Sequence, residues 1–330
     1  MDGKLDLQVG RVDRKSQKQF SLDVKMKTYL KLSPSWTNHA ASLLIASLLA
    51  AFILPTNTSR AGIYSTAGDV ELKALVLAQD ALATADWYFP TLSYDVPAGV
   101  IWLQRDGVEN AVWFARLATE IAQQTQSIVV APKFRRLDKP SPSVDGDTLA
   151  KAVAELFLGD RLALNSSAAA AGYQGPLPQK FLLVGIGKGG GFATSVGGYT
   201  VDNGAAANLL GVVMLNGAAK QDPFAPSLAK LDSVGIPDYQ IAGSGFGVSN
   251  GRALSTAKLL KRLHPDQFVG IQIWPGATDA EVTASVGWIN DIYAGYGPTD
   301  PQFGIYGNPN DGTYIPGQLI MIDQRKAKVL

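Results

Sequence analysis

The stretch KFLLVGIGKGGG at residues 180–191 constrains this chain more than any other. Phe181, Leu182, Leu183 and Val184 form a continuous apolar run, the pattern of a strand buried on both faces. The run ends in Gly185, Ile186, Gly187, Lys188, Gly189, Gly190 and Gly191, and Phe192 to Gly198 are expected to form the helix that follows. A strand, a glycine-rich turn and a helix in succession serve two chemistries. The turn either cradles a phosphate on free N–H groups or lifts a nucleophile on a strained elbow.

The flanking sequence supplies the rest of a sheet. Apolar runs predict edge strands at Leu72–Leu77 and Trp87–Phe89, then buried strands at Val100–Leu103 and Ser127–Ala131, the latter ended by Pro132. Helical periodicity covers Asn110–Gln123, and two helices are expected at Asp147–Leu158 and Asp160–Ala171. Residues 133–146 are polar and proline-containing and read as a loop or the remnant of a lid. Beyond the glycine turn, strands at Leu209–Leu215, Tyr239–Ala242 and Phe268–Ile273 alternate with helices at Ser227–Leu231, Arg252–Leu263 and Asp279–Tyr293. Strands alternating with helices at this spacing imply a mostly parallel sheet covered on both faces. The tail from Phe303 to Ile322 is rich in Gly, Pro, Asn and Tyr and predicts a surface strand pair.

Ahead of this body, Ala40–Leu54 is an apolar segment of 15 residues without a charge, preceded by many lysines and arginines. That length suits a signal-peptide core better than a span, which needs about 20 residues. Small residues at Ser59 and Ala61 place cleavage after Ala61, so residues 1–61 form an N-terminal extension and signal peptide and residues 62–330 a single domain. An uncleaved N-terminal anchor is the alternative, and Met26 is an alternative start to Met1. Both leave a body outside the cytoplasm, secreted or in the cell envelope, with no stable membrane span after cleavage. Nine of the 29 basic and four of the 28 acidic residues precede residue 62, so the body carries a net charge near −4 and has no nucleic-acid-binding character. The chain has no cysteine, which excludes disulfides, thiolate metal sites and a cysteine nucleophile.

Gly185, Gly187 and Gly190 satisfy a GxGxxG spacing, with Lys188 in reach of a phosphate. A dinucleotide fold, however, puts that turn after its first strand and an acid after the next, where this chain has Asn216. The elbow reading fits the late position of the turn. In α/β-hydrolases GxSxG joins a central strand to its helix, and GIGKG at 185–189 has that form with Gly187 in the place of serine.

The stretches GVIWLQ (99–104), SIVVAP (127–132), FLGDRLALN (157–165), AAAAGYQGPLPQKFLLVG (168–185), LLGVVMLNG (209–217), HPDQFVGIQI (264–273) and WINDIYAGYGPTDPQFGIYG (288–307) resemble a group of exported, mycobacterial-type actinobacterial α/β-hydrolases of lipase or esterase type. The resemblance implies an α/β-hydrolase fold, with a mostly parallel central sheet and helices on both faces. Such relatives show LQHG after the early strand, GHSxGG at the elbow, an Asp after the next strand and a GSH-type histidine after the last. Here the matching positions hold Arg105 and Asp106, then Ile186 and Gly187, then Asn216, and finally Gly276, Ala277, Thr278 and Asp279. The resemblance thus implies that nucleophile, acid and base are replaced by Gly187, Asn216 and Thr278, while Gly185, Ile186, Lys188, Gly189, Gly190 and Arg105 mark the elbow and oxyanion region.

Acyl transfer needs a hydroxyl, an imidazole within hydrogen-bond reach and a carboxylate to orient it. Of two histidines, His39 lies in the signal region and His264 is the sole imidazole of the body. Ser249 sits in a second GxSxG by letter, Gly247 to Gly251, but a loop precedes it and His264 lies about 20 Å away along the intervening helix. Asp160 and Arg161 read as a helix start and an ion pair, and Asp279 and Glu281 as first-turn helix charges. No His, Asp and Glu set has metal-ligand spacing and no cofactor is implied. The functional expectation is a degenerate hydrolase-like protein that binds an apolar or acyl small molecule. The alternatives are an active serine ester hydrolase with Ser249 as nucleophile and a structural cell-envelope protein.

Overall fold

A computed structural model describes residues 65–71, 82–91, 96–106, 111–135, 146–242, 250–263, 269–273, 278–297, 300–304 and 327–329. These residues belong to one compact unit, Ser59–Leu330. The predicted signal segment lies outside the described residues, as does the strand expected at Leu72–Leu77. Among the described residues no helix is long and apolar enough to cross a membrane.

Among the described residues nine strands form one sheet: β1 (Ser65–Glu71), β2 (Leu82–Tyr88), β3 (Val100–Gln104), β4 (Ile128–Arg135), β5 (Phe181–Ile186), β6 (Leu209–Leu215), β7 (Asp238–Ala242), β8 (Val269–Ile273) and β9 (Ala327–Val329). Their spatial order is β1-β2-β4-β3-β5-β6-β7-β8-β9. The pairs from β4 to β8 are parallel, and β1, β2 and β9 add antiparallel edges. This order, with the glycine turn following the fifth strand, is that of an α/β-hydrolase fold.

The alternation of side chains across each strand separates two cores. Ile101, Leu103, Leu182, Val184, Val213 and Leu215 face α1 (Ala111–Thr125) and α7 (Thr278–Ala294), where Phe114, Leu117 and Trp288 are buried. Val100, Trp102, Phe181, Leu183, Val212 and Met214 face the opposite layer. That layer contains α2 (Asp147–Glu155), α3 (Leu162–Ala170), α4 (Lys188–Asp202), α5 (Gln221–Ser233) and α6 (Asn250–Leu263). Phe157 stacks on Phe181 at 4.0 Å between ring centres, and Trp102 meets Phe157 edge-on.

Several local expectations are corrected. Pro132 does not end its strand: β4 runs on to Arg135, because beyond Val130 it pairs only with β2 and the missing N–H falls on an open side. Lys133 to Arg135 are therefore strand and not loop, and Phe134 is buried. The helix expected from Phe192 starts at Lys188, so Gly189, Gly190 and Gly191 are helical. Asp160 does not start a helix; α3 begins at Leu162 with Arg161 as its N-cap, in the left-handed region at φ 50°.

Among the described residues Arg161 has no ion-pair partner, where an ion pair was expected. Its guanidinium is buried and donates to the main-chain carbonyls of Phe157 (3.4 Å), Pro178 (2.8 Å) and Gln179, while lying over the rings of Phe157 and Phe181. Burial lowers its pKa to about 10, so it stays charged near neutrality. The strand pair expected over Phe303–Ile322 falls, from residue 305 on, outside the described residues, and β9, beyond that stretch, pairs antiparallel with β8. Phe303 and Gly304 are held by Asp291 of α7, and residues 305–326 lie outside the described set.

Candidate functional site

The site grows from the carboxyl end of β5. Gly187 takes φ 55° and ψ −125°, a conformation that L side chains rarely adopt, and α4 begins at the next residue. The strand therefore turns into the helix on a single residue, which is the form of a nucleophile elbow. The Gly187 N–H donates to Leu215 O (3.0 Å), and its carbonyl accepts from the N–H groups of Gly190 (3.0 Å) and Ala218 (2.7 Å). Those bonds tie the turn to the end of β6 and the loop after it.

The other glycines are required by close approach. A Cβ on Gly185 would fall 2.0 Å from Gly189 O, and one on Gly189 would fall 2.4 Å from Gln104 O. One on Gly190 would lie 2.7 Å from the Gly217 Cα. Backbone meets backbone at each point, so the run Gly189–Gly191 is helical despite its poor propensity. Ile186 is buried in the sheet just below the turn.

Three strand ends converge here. Gln104 ends β3, buried, with its amide donating to Arg105 O (3.0 Å), and the Arg105 guanidinium lies 4.9 Å from the Phe114 ring centre. Asn216 follows β6, fully buried, at φ 52°, and its N–H donates to Ile241 O (2.7 Å). The structure thus brings together Arg105, Gly187 and Asn216 at the carboxyl ends of adjacent strands. Thr278 is the first residue of α7. Ser249 and His264 lie outside the described residues.

Lys188, the first residue of α4, lines a shallow depression with Phe192, Ser195, Lys220 and Phe224. Apolar rings and two ammonium-bearing side chains give it a mixed character. Among the described residues no group of three or more His, Cys, Asp or Glu is placed to hold a metal ion.

Sequence reasoning missed a polar cluster on the α4 side of β7. Asp238 is buried, and its Oδ2 accepts a hydrogen bond from Thr194 of α4 at 2.6 Å, while Oδ1 has no partner among the described residues. Burial pushes its carboxyl up to about 7, with the Thr194 bond acting in the opposite direction. Two residues on, Gln240 donates to the carbonyls of Gly217 (3.2 Å) and Ala253 (3.3 Å), and its Oε1 is also unpartnered. The available signal was two polar residues in alternation, Asp238 and Gln240, in an otherwise apolar strand. Glu281, in the first turn of α7 as expected, is buried.

No family model and no curated protein matches the sequence. Among solved structures the chain is similar to a dienelactone hydrolase from Anabaena variabilis, at 14% identity over 68% of this chain and 95% of that one, with a TM-score of 0.48. Fungal esterases from Rhizomucor miehei match at 10% identity over 76% and 90% of the two chains, TM-score 0.48. Brefeldin A esterase, a bacterial homologue of human hormone-sensitive lipase, matches at 12% identity over 76% and 82%, TM-score 0.47.

Proposed function

We propose that the protein is an exported, catalytically degenerate relative of lipases and esterases that binds an apolar or acyl ligand at the strand-end site without turning it over. One observation carries the reading. The turn at Gly187 keeps the backbone of an elbow and all of its close contacts, yet position 187 has no side chain. Without a hydroxyl there is no acyl-enzyme, and Asn216 beside it cannot supply the charge that orients a base. Backbone N–H groups at the start of α4 still offer donors to a ligand oxygen, so recognition can outlast turnover.

The test is intact mass of the full chain after incubation with a fluorophosphonate, with peptide mapping and a control hydrolase alongside. Absence of an adduct in cooperatively melting protein is the expected result. A stoichiometric adduct on one serine, Ser249 above all, overturns the reading and names a nucleophile. Thermal stabilisation by fatty acids separates a binding protein from a purely structural one, because a ligand that binds only the native state raises its melting temperature. Export is tested on protein recovered from outside the cell, where an N-terminus at Gly62 is expected.

A further inference from the structure

The Asp238 cluster differs in kind from the strand-end site. It is enclosed, it sits on the α4 side of β7, and it contacts the helix that starts at the elbow. We propose that the buried Asp238–Thr194 pair works as a proton-controlled latch between the sheet and the first turns of α4.

The two protonation states make different bonds. The ionised carboxylate has one donor, the Thr194 hydroxyl at 2.6 Å, and leaves Oδ1 bare in the core. A carboxylate removed from water is ordinarily held by two or three donors or by a cation. The neutral acid instead donates from Oδ2 to Thr194 Oγ1, which frees the hydroxyl proton. The hydroxyl then donates its hydrogen bond to Gly190 O at 3.4 Å or to Met214 Sδ at 3.6 Å. Protonation therefore turns the Thr194 bond toward the first turn of α4 and removes the buried charge. Ionisation turns it back.

Among the described residues no charged neighbour competes for the role. The elements packed on this face carry Lys188 and Asp202 (α4), Asp222, Lys230 and Asp232 (α5), and Arg252, Lys258, Lys261 and Arg262 (α6), all of which reach solvent. None of them contributes to the acidity of Asp238, which burial and the Thr194 hydroxyl set between them. On β6 the register neighbours are Val212 and Met214, neither titratable, and Tyr239 points to the opposite core.

The sign follows from linkage. The folded carboxyl ionises near 7 and an unfolded one near 3.8. Stability from this group is complete below about pH 4, falls as pH rises toward 7 and is level above it. Three pH units correspond to on the order of 10³-fold in the folding equilibrium.

Urea unfolding of the full chain from pH 4 to pH 8 tests this, with wild type beside Asp238→Asn. The expected result is that the wild-type folding constant falls about 10³-fold further than that of the variant, groups common to both cancelling. Parallel profiles overturn the proposal. Should Asp238→Asn fail to fold, Thr194→Val serves instead. Removing the hydroxyl that favours ionisation moves the midpoint of the wild-type stability loss to higher pH, and an unmoved or lowered midpoint overturns it. Hydrogen-exchange protection at residues 190–194 reads the latch locally. It drops through pH 7 in wild type, and a pH-independent value counts against coupling to α4.

Discussion

Arg161→Met tests how the buried guanidinium holds the lower edge of the sheet. The substitution keeps an apolar stem against Phe157 and Phe181 and deletes every donor. Two well-formed charge-assisted bonds are lost, to Pro178 O and Gln179 O, each worth about 1.5–3 kcal/mol. The longer bond to Phe157 O adds little. Relief of the burial penalty on the charge and access of water to the loop carbonyls offset part of this, leaving a loss of about 3 kcal/mol. With a urea m-value of about 3 kcal/mol/M, the unfolding midpoint falls by about 1 M. Arg161→Lys restores less than half, because one ammonium cannot fork between two successive carbonyls and stack on two rings. A loss under about 1 kcal/mol for the methionine variant, or full recovery by lysine, would falsify the assignment of this residue as the staple between residues 157–161 and the entry to β5.

Three further expectations concern the elbow and its support. Gly187→Ser with Asn216→Asp and Thr278→His is expected to give weak but measurable hydrolysis of a short-chain p-nitrophenyl ester; inactivity in a folded triple variant breaks the correspondence drawn between those positions and a triad. Gly189→Ala drives a methyl to 2.4 Å from the Gln104 carbonyl, so a thermal melt should show destabilisation of about 1–3 kcal/mol, and a wild-type melt refutes the close packing of β3 on α4. Asp291, fully buried, accepts from the N–H groups of Gln302 (3.0 Å), Phe303 (2.9 Å) and Gly304 (2.8 Å). Asp291→Asn turns a donor toward at least one of them, and faster amide exchange at 302–304 with a loss of about 2 kcal/mol is expected; unchanged exchange removes Asp291 as the anchor of that loop.

The features legible in the sequence were those written in apolar period and length. Phe181–Val184 and Leu209–Leu215 could only be buried strands, and the alternation around them gave the parallel sheet. What failed were positions whose meaning comes from a partner distant in sequence. Pro132 looks like a stop until β2 is placed beside it. Gly189 to Gly191 look like a loop until Gln104, Gly217 and Ala218 are seen pressing on them. Arg161 reads as half of an ion pair because the carbonyls of Pro178 and Gln179 that receive it lie 17 and 18 residues away. Asp238 opens a strand that periodicity alone starts at Tyr239, and only burial makes it unusual. Gly187 and Asn216 were identified from local pattern, and the structure places them at neighbouring strand ends. Ser249 and His264 fall outside the described residues.

The turn at Gly187 also bears on how stability and reactivity trade against each other. A serine held at φ 55° carries strain of about 1–3 kcal/mol that glycine does not feel. The contacts that shape the elbow come from residues 104, 185, 189, 190 and 217, so they persist whichever residue occupies the apex. A glycine at this apex is relaxed where a serine would be tense, and the scaffold keeps the stability margin that such local strain consumes.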